Sequence, residues 1–385
     1  MVGSGNANSL VNGYIVMLRA ASLRVLIATP FGARQRGGID RLTDLIVDTI
    51  ENNAECRIQL SRLVTRGTGM LVWAPFTFGQ ALIRLWMAKR RGEVDLLHIN
   101  LAAGGSAIRK AVLARLARRL GVPYVVHLHG SRFHKFWPSA GPYIRRKVDR
   151  LFAESSAIIV LGEYWSRLVT AHVPQVEDKI IVLPNATAPI RVAREPATDG
   201  RVRISFLGEL GQRKGTPQLV EALGRLAGRQ DWTATIAGNG QVQETIARAQ
   251  QLGIADRIKV PGWLDSSAAT EVLRETDIFV LPSFAENLPM SILEAFACGV
   301  AVVATPVGAV PDVITHESNG LLVPAGDVDA LTCALRRLIE NENLREALGT
   351  AAKRDHAKHY EIEAYISRLT AVWFKAAATT DRGNF

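Results

Sequence analysis

Short apolar runs recur along the whole chain, separated by stretches in which apolar positions repeat at helical spacing. Residues 23–28, 94–99, 124–129, 157–161 and 180–185 form one set of runs. Residues 202–208, 233–240, 258–264, 277–281 and 300–304 form a second. Runs that are apolar at consecutive positions, rather than alternately, predict strands covered on both faces, as in parallel sheets. Between them the pattern predicts helices over 39–50, 78–91, 215–226, 289–298 and 361–378, while 108–120 carries five cations that do not sort onto one face. Strand and helix therefore alternate throughout, which is the signature of an α/β chain.

The densest unit is 277–310. A buried strand leads into a loop, then a helix with Pro289 in its first turn and Gly299 as its stop, then a second apolar strand. Within that unit two carboxylates stand out. Glu286 lies in the loop at the carboxyl end of the strand, where open α/β sheets place ligands, and Glu294 follows on the helix. Spacing alone is equally compatible with a loop acid and a half-exposed helix residue.

At 385 residues with 48% hydrophobic content, the chain suits two domains of similar size, each with its own core. The composition places a disordered tail over 1–22, a first domain over 23–189, an Ala/Pro/Thr-rich linker over 190–200 and a second domain over 201–360. Three cysteines in no pattern point to a reducing compartment without disulfides. No run approaches the roughly 20 apolar residues of a membrane span, and the start lacks the pattern of a secretory signal.

Net charge is +10 and unevenly distributed. Residues 1–190 carry 25 Lys and Arg against 12 Asp and Glu, whereas the remainder carries 21 against 24. A basic first half favours anionic partners such as phosphorylated lipids or a membrane surface. The 78–91 helix adds an apolar face of Phe78, Ala81, Leu82, Leu85 and Trp86 beside Lys89, Arg90 and Arg91. That face is expected to pack on the sheet, with membrane contact as the alternative. Nothing resembles a nucleic-acid motif, so no nucleic-acid partner is expected.

Further candidates follow from local chemistry. Gly37 and Gly38, after the first strand, allow a backbone to approach a ligand at a helix N-terminus. Gly208 ends a strand, and Arg213 and Lys214 precede Gly215 in a loop where they are placed to neutralise phosphate charge. His127 and His129 share one face of a strand, but no third ligand is evident, so no metal is expected. The cation- and aromatic-rich 131–137 reads as a loop. A dinucleotide fingerprint is incomplete, because Gln243 stands where Gly238 and Gly240 call for a third glycine.

The run Glu286-Asn287-Leu288-Pro289, then Glu294-Ala295, then Cys298 through Thr305, resembles the E-x7-E signature of the retaining glycosyltransferases of family four. Gly37-Gly38, His129-Gly130, Pro184-Asn185, Lys214-Gly215 and the Gly308 turn match further segments of that family. The resemblance implies a GT-B arrangement: two Rossmann-like domains facing across a cleft, with the last helix crossing back to the first. It implies transfer of a hexose from a UDP-, GDP- or similar nucleotide-sugar, with no cofactor or obligatory metal. It assigns Glu286, Asn287, Leu288, Pro289, Gly208 and Gly308 to the donor sugar and diphosphate, Glu294 to the ribose, and His129 to the transferred sugar. Glu209 occupies the place of the family's arginine, so Arg213 is expected to supply that charge beside Lys214.

The expected acceptor is a glycan or lipid-linked glycan in surface or exopolysaccharide assembly, reached by a cytoplasmic enzyme visiting the inner membrane face. The alternatives are a sugar-nucleotide epimerase or phosphorylase of the same fold, or a non-catalytic basic membrane-binding module.

Overall fold

The computed structural model describes residues 22–32, 38–53, 56–68, 70–190 and 199–378. Residues 1–21 of the expected tail, Gly37 and most of the expected linker lie outside them. The chain divides into two compact units. The first comprises residues up to 160, 166–183 and 365 onward; the second comprises 161–165 and 184–364.

The first unit is built on six parallel strands: β1 (Leu23–Thr29), β2 (Ile58–Val64), β3 (Leu96–Leu101), β4 (Tyr124–Leu128), β5 (Ala157–Val160) and β6 (Ile180–Val182). Their order is β2-β1-β3-β4-β5-β6. β3, β4 and β5 are buried at every position, the physical counterpart of their uninterrupted apolar runs. The expected runs missed β2 (Ile58–Val64), an edge strand buried only at Ile58 and Leu63.

The second unit has β7 (Val202–Leu207), β8 (Trp232–Ala237), β9 (Ile258–Gly262), β10 (Ile278–Leu281), β11 (Ala301–Ala304) and β12 (Leu321–Leu322), all parallel. The order β12-β11-β10-β7-β8-β9 is the doubly wound Rossmann order. Its direction reverses between β7 and β10, and a crevice at the carboxyl ends of those two strands is where such sheets take ligands. The 277–310 unit forms as its pattern predicts. β10 pairs in parallel with β11, Ile278 opposite Ala301, through the helix Met290–Cys298. Pro289 is the extended N-cap, and Gly299 stops the helix at φ +72°.

The last helix, Ile362–Ala378, packs on the first unit. Its Arg368 donates to the Val182 carbonyl at 2.8 Å, and Trp373 is fully buried.

Two local expectations are corrected. The 131–137 segment is not a loop: Phe133–Ser139 is a short helix. Phe133 and Trp137 fall on one helical face and are buried, Trp137 stacking on Phe152 and donating from Nε1 to Asp149 at 2.8 Å. The helix predicted over 78–91 spans Ala74–Arg90, and its inward face is Ala81, Leu85 and Ala88. Trp86 is 43% exposed, with the Arg90 guanidinium over its ring at 4.9 Å. Apart from Leu85 the buried positions of this helix are alanines, and Phe76, Ile83 and Trp86 are exposed. Among the described residues no helix is long and apolar enough to cross a membrane.

Candidate functional site

The carboxyl ends of β7 and β10 bring the predicted donor residues together. After β7 the chain passes Gly208 and Glu209 into a short turn, Gln212–Lys214. After β10 it passes Pro282 and Ser283 to Glu286. The two loops are tied by the backbone, Phe284 N–H donating to the Arg213 carbonyl at 2.8 Å. Lys214 and Glu286, 72 positions apart, then meet with Nζ at 2.6 Å from Oε1. Their side chains are only 14% and 7% exposed, so this is an ion pair largely withdrawn from water.

Ser283 fixes the carboxylate further, donating from Oγ to the same Oε1 at 2.7 Å. The Ser283 carbonyl in turn accepts from Thr305 Oγ1, at the end of β11. Three strand ends therefore converge on one carboxylate. Ser283 is not among the residues that the sequence singles out, and Thr305 is marked there only as the end of the run that carries the family resemblance.

Arg213, next to Lys214 in the chain, is itself engaged. Its Nη2 donates to Glu209 at 2.8 Å, and its Nη1 faces the Ala285 carbonyl at 3.4 Å. The acid standing where the family has arginine thus holds the cation expected to replace it. Lys214 and Arg213 are each matched by an acid, yet an ammonium has three N–H donors and a guanidinium five, so each keeps donors to offer an incoming anion.

Asn287, Leu288 and Pro289 are buried and extend the site toward the helix Met290–Cys298. Leu288 is anchored by Asn185, whose Nδ2 donates to its carbonyl at 2.8 Å. That bond gives the Pro184-Asn185 match a physical role. Gly308 closes the other side. It sits at φ +61°, and a Cβ there would stand 2.2 Å from the Glu286 carbonyl oxygen and 2.7 Å from that of Asn287. Only glycine permits this approach. Ala309 N–H, one residue on, donates to the Asn287 carbonyl at 2.8 Å. Glu294 is half-buried on the helix that follows.

The remaining predicted residues belong to the first unit. Gly38 opens the helix Gly38–Glu51, and no atom of the described residues stands within 4 Å of where its Cβ would be. Asp40 in its first turn is buried, and that burial pushes its carboxyl up to about 6. His129 follows β4, half-buried. Its ring lies 3.9 Å from that of His127, confirming the shared face, and its Nε2 is 3.1 Å from Asn100 Oδ1. Burial pushes the His129 imidazole down to about 3 and holds His127 well below its usual range, so both rings are neutral near pH 7. No cluster of metal-ligating side chains occurs among the described residues.

Comparison with known proteins identifies the family. A glycosyl transferase 4-like domain matches residues 7–186, and the glycosyl transferases group 1 family matches residues 191–355. The 2-deoxystreptamine glucosyltransferase of Streptomyces kanamyceticus is 28% identical over 74% of this chain and 78% of its own length. A GDP-mannose-dependent α-(1-6)-phosphatidylinositol monomannoside mannosyltransferase of Mycolicibacterium smegmatis is 30% identical over 69% of this chain and 73% of its own. Among solved structures, a sucrose-phosphate synthase of Thermosynechococcus elongatus superposes with a TM-score of 0.75 at 18% identity, covering 93% of this chain and 100% of that one. Anabaena HepE, solved with UDP and glucose, gives 0.70 at 17% identity, covering 91% and 99%. The two Rossmann-like sheets, the matched segments and these relatives lead to one assignment: the chain is an enzyme of the group 1 glycosyltransferases, with the GT-B type of fold.

Proposed function

We propose that the enzyme transfers a hexose, with retention of anomeric configuration, from a nucleoside diphosphate-sugar to a hydroxyl of a glycan or lipid-linked glycan. The observation that carries this reading is the Lys214–Glu286 pair at the β7/β10 reversal, with the Gly308 backbone close against it. In the reaction, Lys214 and Arg213 exchange their carboxylate partners for the departing diphosphate. Those cations stabilise charge as it develops, which is the most effective place for a fixed charge. Glu286, released from Lys214, stays oriented by Ser283 beside the sugar; Glu294 holds the ribose; His129 and Gly38 serve the transferred sugar and the acceptor.

Relatives named for glucosyl and mannosyl transfer, and a neighbour solved with UDP and glucose, support a hexose donor with UDP or GDP. The test is release of nucleoside diphosphate from UDP-glucose or GDP-mannose in the presence of a glycan acceptor. Release that rises with acceptor concentration is expected. Release that ignores the acceptor, or interconversion of the donor sugar, would rule out transfer.

An anionic membrane surface is the proposed location of the acceptor. Met70, Val72, Trp73, Phe76, Ile83 and Trp86 are large apolar side chains left exposed, and Lys89, Arg90 and Arg91 follow them at the surface. An interfacial patch of this kind combines buried apolar area with attraction to anionic headgroups. The protein is expected to float with phosphatidylserine-containing vesicles at low salt and to be released as ionic strength rises. Protein that stays in solution at low salt would refute the membrane reading and leave the transferase reading intact.

A further inference from the structure

Trp373, on the last helix, begins a chain of hydrogen bonds that ends at His129, and the chemistry of each link fixes the next. An indole N–H can only donate. Trp373 Nε1 lies 2.9 Å from His98 Nδ1, so that nitrogen is the lone-pair atom of the ring. Burial holds the His98 imidazole down at about 4, so near neutral pH its single proton sits on Nε2.

That N–H faces the Asn100 side chain at 3.2 Å. The atom it meets must therefore be the carbonyl Oδ1, and the amide Nδ2 turns away to Thr43 Oγ1 at 3.4 Å. The same Oδ1 lies 3.1 Å from His129 Nε2. An acceptor at that distance obliges His129 to carry its proton on Nε2. Its Nδ1 is then a bare acceptor, and no hydrogen bond to it occurs among the described residues.

His127 fits the same sequence. Its Nδ1 lies 3.3 Å from His98 Nε2, whose one proton is shared in a three-centre bond between Asn100 Oδ1 and this nitrogen; His127 Nδ1 therefore accepts, and its own proton is on Nε2. That atom is buried with no partner among the described residues. A buried unpaired N–H carries a penalty, and the Trp373–His98–Asn100 order is maintained in spite of it.

We propose that Trp373, His98 and Asn100 are positioning residues that lock His129 in the Nε2–H tautomer, so that His129 presents an acceptor nitrogen, Nδ1, to a hydroxyl of the bound sugar. The lock is a property of the first unit alone; the hydroxyl partner rests on the proposed reading of His129 as substrate-facing. An acceptor nitrogen discriminates. It pairs with a sugar hydroxyl and repels a carbonyl or phosphate oxygen, which offers no proton.

The experiment reads histidine tautomers by long-range proton–nitrogen correlation on the 15N-labelled full chain at neutral pH. Native His129 is expected to be protonated on Nε2 and bare on Nδ1. Asn100→Leu removes the acceptor and should give a mixture of tautomers, with kcat/KM for the donor falling about tenfold, the scale of one hydrogen bond. Asn100→Asp keeps an acceptor oxygen and should keep the native tautomer. Trp373→Phe, which keeps an aromatic ring but removes the donor along with part of the ring, should release His98 into both tautomers and decides the matter if Asn100→Leu does not fold. Protonation of native His129 on Nδ1, or a native tautomer in both Asn100→Leu and Trp373→Phe, overturns the lock. Native tautomers with unchanged turnover in His129→Phe overturn the hydroxyl contact while leaving the lock in place.

Discussion

Glu286→Gln is expected to lower kcat about a hundredfold while the protein keeps its fold. The carboxylate is the point on which β7, β10 and β11 converge, held by Lys214 at 2.6 Å and by Ser283 at 2.7 Å. Glutamine keeps the shape and one acceptor oxygen, so both hydrogen bonds can persist. What it removes is a fixed negative charge beside the proposed position of the reacting sugar, and loss of one preorganised electrostatic contact costs about 3 kcal/mol of barrier. Stability should fall by less than the 3–5 kcal/mol of a fully buried broken pair, because Lys214 is partly open to water. Turnover at saturating donor, read beside a melting curve, checks both halves. Native turnover would remove Glu286 from the site.

Gly308→Ala is expected to be the more damaging change to the structure. A methyl group at φ +61° is strained by about 1 kcal/mol before any neighbour is considered. The neighbours are backbone carbonyls at 2.2 and 2.7 Å, which cannot rotate aside as a side chain would. The 286–287 loop must move, for a combined cost of about 2–4 kcal/mol and a drop in melting temperature on the order of 5–10 °C. Because the displaced loop carries Glu286, donor KM should rise in parallel. A variant that melts with the native protein and keeps its donor KM would show that this approach is not needed for binding.

The legibility of these features in the sequence follows the range of the interactions behind them. The strand–helix–strand unit from β10 to β11 was readable because every signal in it is local: two apolar runs, a proline at the start of the helix and Gly299 at its end. The order of strands was not, since placing β10 beside β7 depends on contacts between segments about 70 residues apart. Side-chain partners follow the same division. The proximity of Arg213 and Lys214 was visible, but the capture of Arg213 by Glu209 was only half so: their spacing suits a pair, and an acid in the place of the family's arginine was read as a loss rather than as a partner. Asn100 shares a strand face with His98, a pattern present in the sequence, but its meaning depends on Trp373, 275 positions from His98. The helix Phe133–Ser139 was hidden by its charges and by Pro138, although Phe133 and Trp137 are spaced as a helix requires.

The most direct test of the central claim, that the β7/β10 reversal holds the donor diphosphate, is a calorimetric titration of UDP and GDP into the native chain and into Lys214→Ala. The account predicts saturable binding of one nucleoside diphosphate, weakened by about tenfold or more in Lys214→Ala, the scale of one charge-assisted hydrogen bond. Native affinity in Lys214→Ala, or binding of NAD in place of either diphosphate, would contradict it.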